Sequence, residues 1–165
     1  MVLLRDPSLA SDTSQMADVV LDVISRARLN NEHTCWLLQP TSPFRTVSHF
    51  RDIANFISTA DYKSYISVVD VGAMHPNRVY QRKNGKLFPI IKTSFKNKQE
   101  LPPLFIRNGC FYIFKAPDFV KLKTFYITPC YGVVMEENES VNIDGPRDLE
   151  IAKIVLKEMS YGRVH

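Results

Sequence analysis

The sequence predicts an α/β fold, and three observations carry that reading. Met16, Val19, Val20, Val23 and Ile24 recur at the i, i+3, i+4, i+7, i+8 spacing of one helical face. The short apolar run TCWLL, residues 34–38, is bounded by polar turn residues and leads to a second helical face made of Val47, Phe50, Ile53, Ala54 and Ile57. The β-branched run YISVVDV, residues 65–71, is a further buried strand. Strand, polar turn, helix and strand in succession form the unit that builds parallel sheets, so the two strands are expected to run parallel in one sheet.

The other elements follow in order. Ser11, Asp12, Thr13 and Ser14 are residue types that cap helices, and they precede a first helix expected over about 16–28. From Met74 to Pro103 the pattern changes to two short runs around Lys83-Asn84-Gly85-Lys86, and Asn-Gly is the strongest short hairpin signal. Residues 74–103 therefore read as an arm inserted into a single domain spanning 1–165. Strand character returns over 110–115 and 124–135, around a short helix at 117–121. Leu149, Ala152, Ile154, Val155, Leu156 and Met159 form a last helix with Pro146 in its first turn.

A chain of 165 residues with 45% hydrophobic and 11% aromatic content can bury roughly 70% of its unfolded surface, enough for one packed domain. No stretch approaches the roughly 18 consecutive apolar residues of a membrane span, and the first residues lack a basic flank followed by an apolar core. A cytoplasmic protein without membrane contact is expected. Cys35, Cys110 and Cys130 are odd in number, scattered and set among apolar or aromatic neighbours, which predicts buried reduced thiols rather than disulfides or a zinc site.

The net charge of +4 matters less than its distribution. Between Arg78 and Lys98 stand seven cations and no acid. Such a run can be a solvated face, a holder of phosphate or carboxylate, or a nucleic-acid surface. The last reading is disfavoured, because only Tyr80, Phe88 and Phe95 interleave the cations.

Three short stretches carry polar groups where ligands bind in α/β proteins. Gln39, Thr41 and Ser42 stand at the carboxyl end of the TCWLL strand, held between Pro40 and Pro43. Gln39 can donate and accept at once and so fix a sugar or base; the alternative is that the turn only caps the helix starting near Thr46. Asn142 and Asp144 fall on one side of an extended segment and can share a hard cation such as magnesium, unless Asp144 instead caps the last helix. Asn108-Gly109 feeds a strand where glycine admits a close ligand or backbone, or is a simple turn.

Taken together, LRDPSLASDTSQMADVV, LLQPTSPFR, SVVDV with His75-Pro76-Asn77-Arg78, LPPLFIRNGCFYIF and ESVNIDGPRDLEIA resemble the N-acylneuraminate cytidylyltransferases, which make CMP-sialic acid and relatives such as CMP-legionaminic acid. The resemblance covers nearly the whole chain. It implies a three-layer α/β/α Rossmann-like fold of the nucleotide-diphospho-sugar transferase kind, with the arm as a β-hairpin that dimerises. It also implies transfer of CMP from CTP to a nine-carbon 2-keto sugar acid, with Mg2+ present and pyrophosphate released.

By the same resemblance, Arg5 and Ser14 lie beside the nucleotide with Asn108 and Gly109, and Gln39 orients the sugar acid. Tyr112 edges the sugar pocket, Phe125 and Tyr126 match an aromatic pair packed on the N-acyl group, and Arg107 stands near a sugar-carboxylate arginine. Arg78 and Lys98 match cations that neutralise phosphate or carboxylate, across the dimer where the arm reaches the neighbouring site. Asp144 is the charged metal ligand, and Asn142 replaces a second family aspartate. Gln39, Lys98 and Asp144 form the implied catalytic set.

The resemblance also implies a first strand and a basic glycine-rich loop ahead of this sequence, a difference of roughly 70 residues. The chain then corresponds to the C-terminal two-thirds or so of the family domain. Weak or absent turnover is therefore expected of this chain alone. A non-catalytic dimeric remnant that binds a sugar acid or partner subunit is the alternative.

Overall fold

The structure, a computed structural model, describes residues 2–91 and 97–161, the side chains of Lys98, Ser160 and Tyr161 excepted. Part of the basic arm, with Lys92, Phe95 and Lys96, thus lies outside the described residues. Helices α1 (Met16–Arg26), α2 (Val47–Thr59), α3 (Ala116–Leu122) and α4 (Pro146–Tyr161) accompany six strands. Strands β1 (Thr34–Leu37), β2 (Ser64–Asp70), β5 (Phe105–Lys115) and β6 (Cys130–Val134) form one sheet in the order β1-β5-β2-β6, while β3 (Tyr80–Lys83) and β4 (Lys86–Pro89) pair separately.

The expected parallel relationship between the first two strands holds for direction and fails for adjacency. β5 lies between them and is antiparallel to both, whereas β2 and β6 pair in parallel. A sequence pattern fixes which residues are buried but does not reveal that a later, 11-residue strand inserts between two earlier ones. The β2–β5 register shifts between Ile66 and Val68. There Ser67 takes over the ladder's role: its Oγ accepts from Phe111 N at 2.7 Å and donates to Phe111 O at 3.3 Å.

Side-chain alternation along the strands sends two cores to opposite faces. Tyr112 and Phe114 of β5, with Cys35 and Leu37 of β1, pack against Val20 and Ile24 of α1 and Phe119 of α3. Phe111 and Ile113 of β5, with Trp36, pack against Phe50 and Ile53 of α2 and Tyr65 of β2. Helices therefore cover both faces of the mixed sheet. A third cluster joins Ala152 and Val155 of α4 to Phe44, Val141 and Ile143, so the last helix packs on the loops that emerge from the sheet.

The hairpin is built as the sequence predicts. Asn84 and Gly85 have φ of 48° and 79°, the two positive values a tight two-residue turn between right-twisted strands requires, and Tyr80↔Pro89 through Lys83↔Lys86 are the paired positions. Residues 80–90 are all exposed. The strand expected over 124–135 is shorter, only Cys130–Val134. The preceding segment is held instead by Ser64, whose Oγ accepts from Ile127 N and donates to Ile127 O. Of the three cysteines, all are free, but only Cys110 is fully buried; Cys35 and Cys130 are half-buried. Among the described residues no helix is long and apolar enough to cross a membrane.

Candidate functional site

The polar turn leaves β1 at its carboxyl end and is closed by Ser42 N donating to Gln39 O at 3.2 Å. Arg45 fastens it to the sheet: Nη1 donates to Gln39 O at 2.9 Å and to Cys110 O at 3.2 Å, with the guanidinium 6.0 Å from the Phe111 ring centre. The turn does not cap α2. Thr46 does, its Oγ1 accepting from His49 N at 3.4 Å, while His49 Nδ1 accepts from Thr46 N at 3.1 Å. Ser42 is fully buried, and its hydroxyl has no hydrogen-bond partner among the described residues. It lies close enough to Cys110 to oppose the shift of that thiol, without hydrogen-bonding geometry. Burial is the larger influence and pushes the Cys110 thiol up; burial does the same to Cys35.

Gly109 brings β5 against this turn. Its φ of +81° is a conformation that glycine adopts without strain, and a Cβ there would stand 2.7 Å from Gln39 Oε1 and 3.6 Å from Ser42 Oγ. Asn108 sets the bend: Oδ1 accepts from Cys110 N at 3.2 Å, and Nδ2 donates to Ser140 Oγ at 2.8 Å. Both ends of this 8%-exposed side chain are thus engaged, which makes it a brace for the buried Gly109, while Gln39 lines the neighbouring groove.

The Asn142–Asp144 segment joins the same region through Ile143 N, which donates to Thr41 O at 2.8 Å. Asn142 Nδ2 donates to Asp144 Oδ2 at 2.6 Å. At the start of α4, Asp148 Oδ2 accepts from Asp144 N at 3.1 Å and Gly145 N at 3.0 Å. Asn142 Oδ1 is buried without a partner. A half-turn of that amide would set Oδ1 beside the Asp144 carboxylate and offer a hard cation two oxygens. Among the described residues no group of three or more His, Cys, Asp or Glu side chains could hold a metal. The pair therefore fits magnesium only where phosphate or water supplies the remaining ligands.

A groove of about 230 Å³ runs along the outer side of β1, lined by Arg5, Met16, Val19, Leu37 and Gln39 among others. Arg5 and Gln39 are thus brought together. Ser14, half-buried beyond the start of the groove, shares a 2.8 Å hydrogen bond with Ser11. Tyr112, paired with Leu37 in register, meets Phe125 at 5.1 Å between ring centres. Phe125 also packs on Phe119 at 5.0 Å, so it belongs to the core, whereas Tyr126 is 60% exposed.

The remaining cations stand apart. Arg78 lines a second cavity, of about 200 Å³, with Asp70 and His75 beyond the carboxyl end of β2. Arg107 is exposed opposite Val68. The Lys98 side chain lies outside the described residues. The residues that sequence reasoning passed over are Arg45, His49, Glu139 and Ser140. Arg45 closes the quoted LLQPTSPFR motif, and His49 stands at the third helical position, where a side chain can reach back to the cap.

This combination, a mixed sheet with polar turns converging where β1 ends, accompanies similarity to proteins named as a cytidylyltransferase and as a CMP-sugar-acid synthase. The chain is 27% identical over 146 residues to an N-acylneuraminate cytidylyltransferase of Streptococcus agalactiae serotype III, covering 87% of this chain and 34% of that protein. It is also 27% identical over 159 residues to the CMP-N,N'-diacetyllegionaminic acid synthase of Legionella pneumophila, covering 93% of this chain and 68% of that protein. The resemblance read from the sequence is thus found in proteins of both names. The chain spans about a third of the length of the streptococcal relatives it matches. No family model matches it.

Proposed function

We propose that the chain forms the sugar-acid and metal-facing part of a cytidylyltransferase, in which the anomeric hydroxyl of a nonulosonic acid attacks the α-phosphate of CTP and pyrophosphate leaves. The observation that carries this reading is the convergence of Gln39, Gly109 and the Asn142–Asp144 pair where β1 ends, joined by the Ile143–Thr41 hydrogen bond. Gln39 would orient the sugar acid, with Tyr112 at the pocket edge and Phe125 and Tyr126 toward the N-acyl group. Arg5 and Ser14, with the Gly109 backbone, would face the nucleotide. Asn108 acts through Gly109.

Asp144 and a turned Asn142 would hold magnesium, which when bound would supply neutralisation of phosphate charge. The finer architecture belongs to the same proposal: a Rossmann-like transferase layering, and a basic hairpin that pairs two copies in the cytoplasm so that Arg78 and Lys98 serve a neighbouring site. Among the described residues Arg5 is the only cation lining the groove, too little for a triphosphate of about four charges, so turnover by the chain alone is low.

A second reading, a dimeric sugar-acid binder without chemistry, is favoured by the Asn142 amide, which already occupies Asp144. Titration calorimetry of the chain with N-acetylneuraminate, with CTP and with both, in magnesium, separates the two. Mutually dependent binding supports the transferase reading; sugar-acid binding indifferent to CTP supports the second; heat from neither overturns both.

A further inference from the structure

We propose that Glu139 is a positioning residue for the Asn108-Gly109 bend, acting through Ser140. The connection between β6 and α4 turns at Glu136–Ser140, and one carboxylate oxygen of Glu139 holds that turn from two sides. Oε2 accepts from Glu136 N at 3.2 Å and lies 3.2 Å from His49 Nε2. The tautomer follows from the other ring nitrogen. His49 Nδ1 accepts from the Thr46 amide, so in the neutral ring the proton is on Nε2, which donates to Glu139. The ring itself is held edge-on to Phe111 at 6.2 Å and is tied to the α2 cap. The Glu136–Ser140 turn is thereby fastened to a helix that packs on the opposite side of the sheet from α1.

The consequence reaches β5. Ser140 Oγ donates to Glu136 O at 2.8 Å, which points its free lone pair at Asn108 Nδ2, and Asn108 in turn accepts the Cys110 amide. Gly109, fixed between those two residues, is the group against which Gln39 rests. Glu139 touches none of the residues assigned to ligands, yet three hydrogen bonds, through Glu136 and Ser140, join it to the residue that bends β5 at the site. Its meaning for catalysis rests on the cytidylyltransferase reading, whereas the brace itself does not.

The test is amide hydrogen exchange at Cys110 in the full chain, compared with amides of the β2–β5 core, together with CTP binding in magnesium. Glu139→Ala is expected to speed exchange at Cys110 by about tenfold beyond any change in the core, the loss of roughly one hydrogen bond. Glu139→Gln is expected to keep wild-type protection, because its amide oxygen can still accept both hydrogens. Ser140→Ala, with Glu139 intact, is expected to act like Glu139→Ala and stands in for it if that variant does not fold. Unchanged Cys110 protection in Ser140→Ala, or equal loss in Glu139→Gln and Glu139→Ala, overturns the proposal. Absence of CTP binding by the wild-type chain counts against the transferase reading alone, since the exchange result is read without ligand.

Discussion

Gly109 and Gln39 meet so closely that a methyl group on the glycine would stand 2.7 Å from the glutamine Oε1. Two costs therefore attend Gly109→Ala. The backbone at φ +81° disfavours any side chain, a cost on the order of 1–2 kcal/mol. The collision is with the far end of a flexible side chain, so it is relieved by Gln39 swinging away. The expected result is a melting temperature lower by several degrees for a domain of this size. Adding Gln39→Ala should recover only the collision part. A Gly109→Ala chain as stable as wild type would contradict the strained backbone drawn here.

Arg45 is expected to matter more than its surface-type chemistry suggests. Its Nη1 serves the carbonyls of Gln39 and Cys110 together, which joins the turn to β5. Arg45→Met keeps the apolar stem over Phe111 but strands both acceptors, a loss of about 1–3 kcal/mol. In urea the midpoint should fall with the slope unchanged. Arg45→Lys should recover part of the loss at most, since one ammonium lacks the planar fork.

Much of this arrangement was legible in the sequence. Helical spacing located α1 and α2, Asn84-Gly85 located the hairpin, and Asn142 with Asp144 two residues apart announced side chains that meet. What was not legible depends on distance along the chain. That β5 inserts between β1 and β2 is decided by pairings over 40 residues and more, such as Ser67 with Phe111. The brace from His49 to Glu139 spans 90 positions. Asn108 beside glycine reads either as a place that admits a close ligand or backbone or as a simple turn; only Ser140, 32 residues later, shows what its side chain bonds. Local pattern reports period and turn chemistry, and it cannot report which distant acceptor a side chain will find.

The Asn142–Asp144 contact makes a prediction about charge. Replacing the amide by a carboxylate sets two anions where a 2.6 Å hydrogen bond now stands. Without divalent cation Asn142→Asp should be less stable than wild type, by about 1 kcal/mol for a partly solvated pair. Millimolar Mg2+ should raise the melting temperature of the variant and scarcely change that of wild type, because binding to the folded state alone adds stability by mass action. A variant indifferent to magnesium would remove Asp144 as a metal ligand.

Cys110 supplies the pH prediction. Burial holds its thiol above the ordinary value of 9.0, with the Ser42 hydroxyl and the Arg45 charge opposing and the Glu139 charge reinforcing. Below about pH 9 both folded and unfolded chains keep the proton, and the thiol's contribution to stability is complete. Above it the unfolded chain ionises first, so stability falls as pH rises through the folded thiol's own titration. Urea midpoints between pH 8 and pH 10 should therefore decline more steeply for wild type than for Cys110→Ala, in which lysine and tyrosine titrations remain. The burial that raises the thiol also shields it, so iodoacetamide should modify Cys110 far more slowly in the folded chain than in the urea-unfolded one. Parallel midpoint curves for the two chains would mean that the thiol titrates alike in both states and that the pocket around Ser42 is wet.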